Sequence, residues 1–522
     1  MKQTIQNSFY QLLTIYTILV LLISLNLFWK YSLQMSIFAI IVAILGISTI
    51  TKEKPSKPKK IHIWLFILAI ITTIALRVIP YLKNQIPLGY DAGIYKYAIE
   101  SGLSNADKWI VTQVTMEPFF LYLMEPLKLF FSSQTLLTYG FIAFCLILGL
   151  AIYLTTKEYF NKTTAIIAFL IYSVSIIQFL TFNYMYYRNV IGLTLALFSI
   201  YFLKKSENNP KLIYLFILLG ALTGATHRPT FYIFGLSYLA YALTSPYKDK
   251  YNFNILKKNI INGILILVIT SLFYLGRFKE AIFSILPSVF QGFIQTGQSP
   301  GTFINFLTYQ YSTLAYLPFA LLGLFTLIKN KKLNILFFWT IITAIIVYFQ
   351  FFFYNRFIIH LDIALIILAA YGFSIIIKHK KKLGIIILIL MLFSAAFVTF
   401  NEATHTYPEI KEELQTIEYL NNTEENAYVM ATSSIYSLWV LGYSNRKTIA
   451  PGLFDYNQHN EAQWNTFWTT TNINEIKTFL DVYEKPLYIF IGQKQKDNLA
   501  QFNTCFEIYK KDLNNKIYKY TC

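Results

Sequence analysis

The sequence predicts a polytopic α-helical membrane protein of about thirteen spans with a small exterior C-terminal α/β domain. Three observations predict it. The 522 residues are 56% hydrophobic and only 13% charged, a balance outside that of soluble domains. Apolar runs of roughly 17–22 residues recur from residue 8 to residue 400, each long enough to cross a hydrocarbon layer of about 30 Å. The lysines are segregated. Loops at 51–60, 157–162, 204–211, 245–260, 328–332 and 378–382, together with Lys2, hold 22 lysines against Glu53, Glu158, Glu207 and Asp249, an excess equal to the whole net charge of +18.

The spans read as 8–28, 32–50, 61–81, 134–155, 163–181, 184–203, 211–226, 229–245, 259–277, 313–329, 333–353, 357–377 and 383–400. With thirteen crossings every lysine loop falls on one side, which the positive-inside rule makes cytoplasmic. The N-terminus is then cytoplasmic and the C-terminal tail extracytoplasmic. The basic excess is a product of topology, so no nucleic-acid partner is implied. The first span lacks a small-x-small cleavage pattern after it and should stay as an anchor. Cys145 reads as a small apolar residue within a span.

Three segments face outward. Loop 82–133 carries Gly89-Tyr90-Asp91-Ala92-Gly93-Ile94-Tyr95, then Asp107 and Glu117-Pro118. Its stretch 118–131 is apolar but short and interrupted by Glu125-Pro126, which suits a helix lying at the membrane interface. Loop 278–312 reads as either a substrate loop or a plain connector. The third segment is a domain at 402–522, apart from a membrane domain at 1–401. A helical pattern from Pro408 to Leu420 is followed by a strand at 427–431, a helix at 435–441, and strands at 486–492, 505–509 and 516–520. Asn421-Asn422-Thr423 is a glycosylation sequon. Cys505 and Cys522 stand in an oxidising setting as a disulfide or as two free thiols.

Only six residues are arginine, and five of them (Arg77, Arg188, Arg228, Arg277 and Arg356) sit at span ends opposite the lysine clusters. A guanidinium fork grips phosphate or carboxylate in two places, whereas lysine is a solvated point charge. Each has a plainer use. Arg77 lies within a turn of its span's outer end and can snorkel. Arg188 beside Tyr186 and Tyr187 suits an interface anchor. Arg277 beside Lys279 and Glu280 suits a solvated edge. His227 and Arg228 are harder to explain away, since adjacent cationic groups between short spans are costly without a partner. Arg356 and His360 are four apart and share one helix face. Asp91, between two glycines that permit a tight turn and the approach of a substrate, is suited to act as a base or as a helix N-cap. Tyr90 and Tyr95 offer flat amphipathic faces to a sugar.

These patches resemble the GT-C superfamily, multi-span glycosyltransferases that use polyprenyl-phosphate-linked sugars and include protein O-mannosyltransferases and lipid A aminoarabinose transferases. Asp91 matches that family's first-loop acid, Glu117-Pro118 the position before its interfacial helix, His227-Arg228-Pro229 a basic-Pro element at an outer helix junction, and Arg356 an exterior arginine. The resemblance implies inverting transfer of a sugar from a polyprenyl-phosphate donor to a glycan, lipid or protein acceptor. Asp91 would act on the acceptor hydroxyl. Arg356, Arg228, His227 and Arg188 would hold the donor phosphate, and Tyr90, Tyr95, Glu117 and His360 the sugar or acceptor. Two departures stand out. The first-loop acid has no acidic neighbour, so a divalent cation would need Asp107 or Glu117 as its second ligand. The tail has no Trp-Trp-Asp motif, which separates the chain from the oligosaccharyltransferase catalytic subunit. Two spans also precede the usual first one. A lipid-glycan flippase, or a ligase or polymerase using a polyprenyl-diphosphate donor, would share the spans and cations.

Overall fold

The computed structural model describes all residues except 1, 26–31, 50–62, 106–115, 248–251, 276–303, 305, 352–353, 409, 452–455 and 503. Asp107, Arg277, most of the second exterior loop and the lysine loop at 51–60 thus lie outside the described residues. Contacts divide the chain into two units, Met1–Leu82 with Phe141–Thr406, and Lys83–Gly140 with Tyr407–Cys522. The first exterior segment, which lies within the membrane part in sequence, is grouped by its contacts with the tail.

In the first unit a helix stands at each of the thirteen apolar runs. Among the described residues six helices are long and apolar enough to cross a membrane, from Ile5–Ser24 to Lys381–His405. Two bent pairs raise the number to eight. Lys162–Val174 meets Ile176–Asn183 at 51°, and Phe306–Thr313 meets Leu317–Lys329 at 80°. The expectation of thirteen full spans is therefore larger than length and composition alone qualify, because helices such as Pro210–Thr226 and Ile335–Tyr348 are apolar but short. The first bend has a local cause. Ser175 is extended (ψ 123°), and its hydroxyl accepts the Gln178 N–H to cap the second segment.

Helix Tyr354–His379 is the unit's axis, with every residue from Phe357 to Ile376 buried. Leu317–Lys329 crosses it backbone to backbone. A Cβ at Gly323 would collide with the Leu368 carbonyl, and one at Gly372 with the Phe319 carbonyl. Small residues at such a crossing let van der Waals packing replace the hydrophobic drive that lipid does not supply. On the outside Trp64, Ile71, Leu267, Ile389 and Phe393 are exposed, an apolar exterior suited to lipid.

The second unit is built on a five-stranded sheet of β1 (Tyr428–Ala431), β2 (Lys447–Ile449), β3 (Leu487–Ile491), β4 (Phe506–Asp512) and β5 (Asn515–Tyr520), in the order β2-β1-β3-β5-β4. β1 runs parallel to β2 and β3, and β5 antiparallel to β3 and β4. β3 is central and wholly buried, which is why its sequence is an unbroken apolar run. The edges are a three-residue strand and a strand bearing Glu507, Lys510, Lys511 and Asp512, both of which discourage further pairing. Trp464, Phe467, Ile476, Phe479 and Ile489 form its core.

Helix Ala92–Ser101 of the exterior segment packs on Ser434–Ser444 of the tail. The missing Cβ of Gly93 admits the Leu438 carbonyl, and that of Gly442 admits the Gly93 carbonyl. Gly93 thus serves helix packing and not the approach of a substrate. Lys96 fastens the crossing by donating to the Gly442 carbonyl at 2.9 Å, its ammonium 4.7 Å from the Tyr443 ring. Cys505 and Cys522 form a disulfide. In the sequon, the exposed Asn421 donates its amide to the Glu418 and Tyr443 carbonyls, and Thr423 is buried.

Candidate active site

Arg188, Arg228 and Arg356 each stand in the first turn of a helix, Tyr187–Lys205, Arg228–Thr244 and Tyr354–His379 respectively. A helix N-terminus carries partial positive charge and disfavours a cation there. The structure gathers these arginines rather than dispersing them: the helix of Arg188 closes on His227 at Gly192, His227 adjoins Arg228, and the Thr230 hydroxyl bridges His227 to His360, one turn from Arg356. Backbone N–H groups and guanidinium forks brought together in this way have the chemistry to hold an anion. Arg188 does not work as an interface anchor with its tyrosines, because Tyr187 is buried against Phe141 at 4.6 Å between ring centroids.

His227 ends one helix and caps the next. Its Nδ1 accepts the Thr230 backbone N–H at 3.3 Å, which leaves the ring proton of the neutral form on Nε2. Gly192 lets it close on the neighbouring helix, where a Cβ would come within 2.9 Å of the His227 Cβ. The Thr230 hydroxyl joins the two histidines, 2.7 Å from His227 Nδ1 and 2.9 Å from His360 Nε2, and lies 3.4 Å from Asn189 Oδ1. The Trp339 indole N–H donates to the His360 carbonyl and holds that turn of the central helix. Thr230 and Asn189 carry no sequence signal, since their role comes from three helices meeting.

Arg77 is fully buried and does not snorkel. It donates to the Thr73 carbonyl within its own helix and to the Gln178 carbonyl, between the rings of Tyr172 and Phe182. Asp362, buried in the middle of the central helix, accepts from Ser175, Gln178 and Tyr316. Its signal was an acid within an otherwise apolar run, which marks a functional candidate by default.

In the second unit Asp91 occupies the N-cap position of Ala92–Ser101, half-buried, just after Gly89 at φ 77°. Its carboxylate makes no capping bond, so the plainer use of this aspartate is not realised. Glu117 stands likewise at the N-cap position of Pro118–Leu127, 4% exposed and without a capping bond. Tyr90 donates its hydroxyl to the Ser434 carbonyl. Tyr95 is 3% exposed and packs on Phe120. The sugar face expected of Tyr95 is therefore occupied by protein, because its helix turns that side into the unit's core. Among the described residues no three His, Cys, Asp or Glu side chains gather as a metal site, and Asp107 lies outside them.

The stretch 116–274, which holds Glu117, Arg188, His227 and Arg228, matches the family model described as dolichyl-phosphate-mannose-protein mannosyltransferase. No curated protein matches the whole sequence. Among solved structures, ArnT from Cupriavidus metallidurans, bound to undecaprenyl phosphate, matches with a TM-score of 0.59 at 12% identity over 88% of this chain and 98% of its own. The apo oligosaccharyltransferase of Archaeoglobus fulgidus matches with a TM-score of 0.61 at 12% identity over 83% of this chain and 70% of its own. The fold is the GT-C fold. A second structure of the archaeal enzyme, AglB with an inhibitory peptide and a dolichol-phosphate, matches at a TM-score of 0.57 and 12% identity over 82% of this chain and 69% of its own. At such identity the GT-C likeness carries architecture, and the chemistry has to be argued from this chain's own residues.

Proposed function

We propose that this protein is an inverting glycosyltransferase that moves a sugar from a polyprenyl-phosphate-linked donor to an acceptor hydroxyl at the outer face of the membrane. The observation that carries this reading is the meeting at His227 of the helix starts that bear Arg188, Arg228 and Arg356, joined through Gly192 and through the Thr230 hydroxyl between His227 and His360. A donor phosphate is a diester with one negative charge. When the bond from the sugar's anomeric carbon to the phosphate oxygen breaks, its electron pair stays on that oxygen and the released monoester gains charge. Clustered cations stabilise that change more than they stabilise the bound donor, which is what lowers a barrier. Phosphate is a good leaving group, so no general acid is needed. The base is Asp91, which takes the acceptor's hydroxyl proton as the oxygen attacks the opposite face of the anomeric carbon.

The lipid phosphates bound to ArnT and to the archaeal enzyme support a donor of this class. The lysine distribution supports a cytoplasmic N-terminus and an extracytoplasmic tail. The test supplies the purified full chain with polyprenyl-phosphate hexoses and pentoses and with surface-glycan acceptors, and follows release of polyprenyl phosphate. Mass analysis of surface glycans with and without the protein then identifies sugar and acceptor. Translocation of the lipid-linked sugar with no release would replace this reading with a transporter.

A further inference from the structure

The membrane unit holds a second polar centre that the reaction above does not use. Asp362 is fully buried, and it accepts from Ser175 Oγ at 3.0 Å, Gln178 Nε2 at 2.8 Å and the Tyr316 hydroxyl. Ser175 is the break of one bent helix pair, and Tyr316 stands at the N-cap position of the segment after the other break. One carboxylate therefore ties both broken helices. Irregular backbone at membrane depth is tolerated where it is buried in protein or lines a cavity. A chamber of about 390 Å³ lies against both breaks, and its lining joins Ser175 and Tyr316 to Ser24, Ser312 and Ser394 and to aliphatic residues such as Val20 and Val398. At about 30 Å³ per water it has room for an organic molecule rather than an ion.

Three features define what fits. Ser175 and Tyr316 each have one O–H, and both donate it to Asp362. What remains to them is oxygen lone pairs, one of which on Ser175 already accepts the Gln178 N–H, so a guest that bonds to either must donate. Among the described residues no cation bonds to Asp362, and Arg77 donates instead to the Thr73 and Gln178 main-chain oxygens. A buried carboxylate is costly without a counter-charge. The rest of the lining is mostly aliphatic, and its Ser24 and Ser312 hydroxyls donate to the Val20 and Thr308 carbonyls of their own helices. We propose that this chamber binds the ammonium head of an amine-bearing amphiphile, its N–H groups on the Ser175 and Tyr316 oxygens and its carbon chain along the aliphatic wall. The same charge logic sets it apart from the arginine cluster, which repels such a guest.

The test uses the full chain in phosphatidylcholine nanodiscs, titrated with octylammonium and, as the neutral isostere, octanol. Saturable thermal stabilisation by octylammonium is expected, with octanol at least tenfold weaker. Asp362→Asn should lose at least tenfold in octylammonium affinity and no longer separate amine from alcohol. Equal binding of the two, no saturable binding, or undiminished amine binding in the variant would overturn the proposal. Should Asp362→Asn fail to fold, Ala395→Phe fills the chamber from another lining position and leaves the carboxylate network in place. Octylammonium binding should then be lost, and its persistence would place the guest elsewhere and sink the idea. Phosphatidylethanolamine added to the nanodiscs identifies the source, since displacement of octylammonium points to a bilayer aminolipid and unchanged binding to a free amine.

Discussion

Thr230 Oγ1 lies 2.9 Å from His360 Nε2, a bond that joins the start of one helix to the central helix across 130 residues of sequence. His360 is one turn from Arg356 on the same helix. The bond therefore couples the His227-Arg228 junction to the rotation of the helix that carries Arg356. A fork that must meet a phosphate in two places needs its helix held in this way.

Arg356→Lys should keep the charge and lose the fork. Hydrogen bonds to charged groups contribute about 1.5–3 kcal/mol, so turnover at saturating donor should fall on the order of 10- to 100-fold with weaker donor binding. Donor titrations of the purified variant check this. Unchanged kcat and KM would remove Arg356 from the phosphate site.

Asp91→Asn keeps the size of the side chain and removes the base. No capping bond depends on the carboxylate, so the start of helix Ala92–Ser101 should survive the change. Turnover should fall on the order of 10²- to 10⁴-fold while donor lipid still binds. Sugar transfer at the wild-type rate would rule out Asp91 as the base.

Gly442→Val should separate the helix pair of the second unit. Its new Cβ would enter the space of the Gly93 carbonyl, and overpacking against backbone costs about 1–3 kcal/mol or more. Amides of residues 92–101 should exchange faster in hydrogen-exchange measurements, with β1 and β3 little changed. Protection equal to wild type at 92–101 would contradict the crossing.

Asp497 sets a pH dependence in the tail. Burial pushes its carboxyl upward. The Lys516 ammonium at 2.7 Å and the Tyr518 hydroxyl at 2.7 Å outweigh that and hold it below the usual carboxylate range. A folded-state value below the unfolded one contributes stability that is present above about pH 4 and is lost as pH falls through the folded value. Asp497→Asn should therefore flatten the acid limb of tail unfolding, followed by exchange in β5. An unchanged acid limb would show that other carboxylates govern it.

Much of this protein was legible in the chain alone. Apolar length, lysine segregation and the α/β alternation of the tail set its class, because lipid and water impose those patterns on every residue they touch. The scarcity of arginine marked Arg188, Arg228 and Arg356 as candidates, and packing at Gly192 and Thr230 decided that their helix starts meet at His227. Other roles were set only by packing. Gly93 looked like an opening for a ligand until Gly442, remote in sequence, closed on it. Tyr95 looked like a sugar platform until its helix turned it toward Phe120. Arg77 had the position of a snorkelling residue, but the Gln178 carbonyl and two aromatic rings hold it inward. Asp362 was one acid in an apolar run until two helix breaks supplied its donors. Partition between water and lipid acts on composition and can be read locally, whereas hydrogen-bond partners depend on which distant segments come within about 3 Å, and only the tertiary structure decides that.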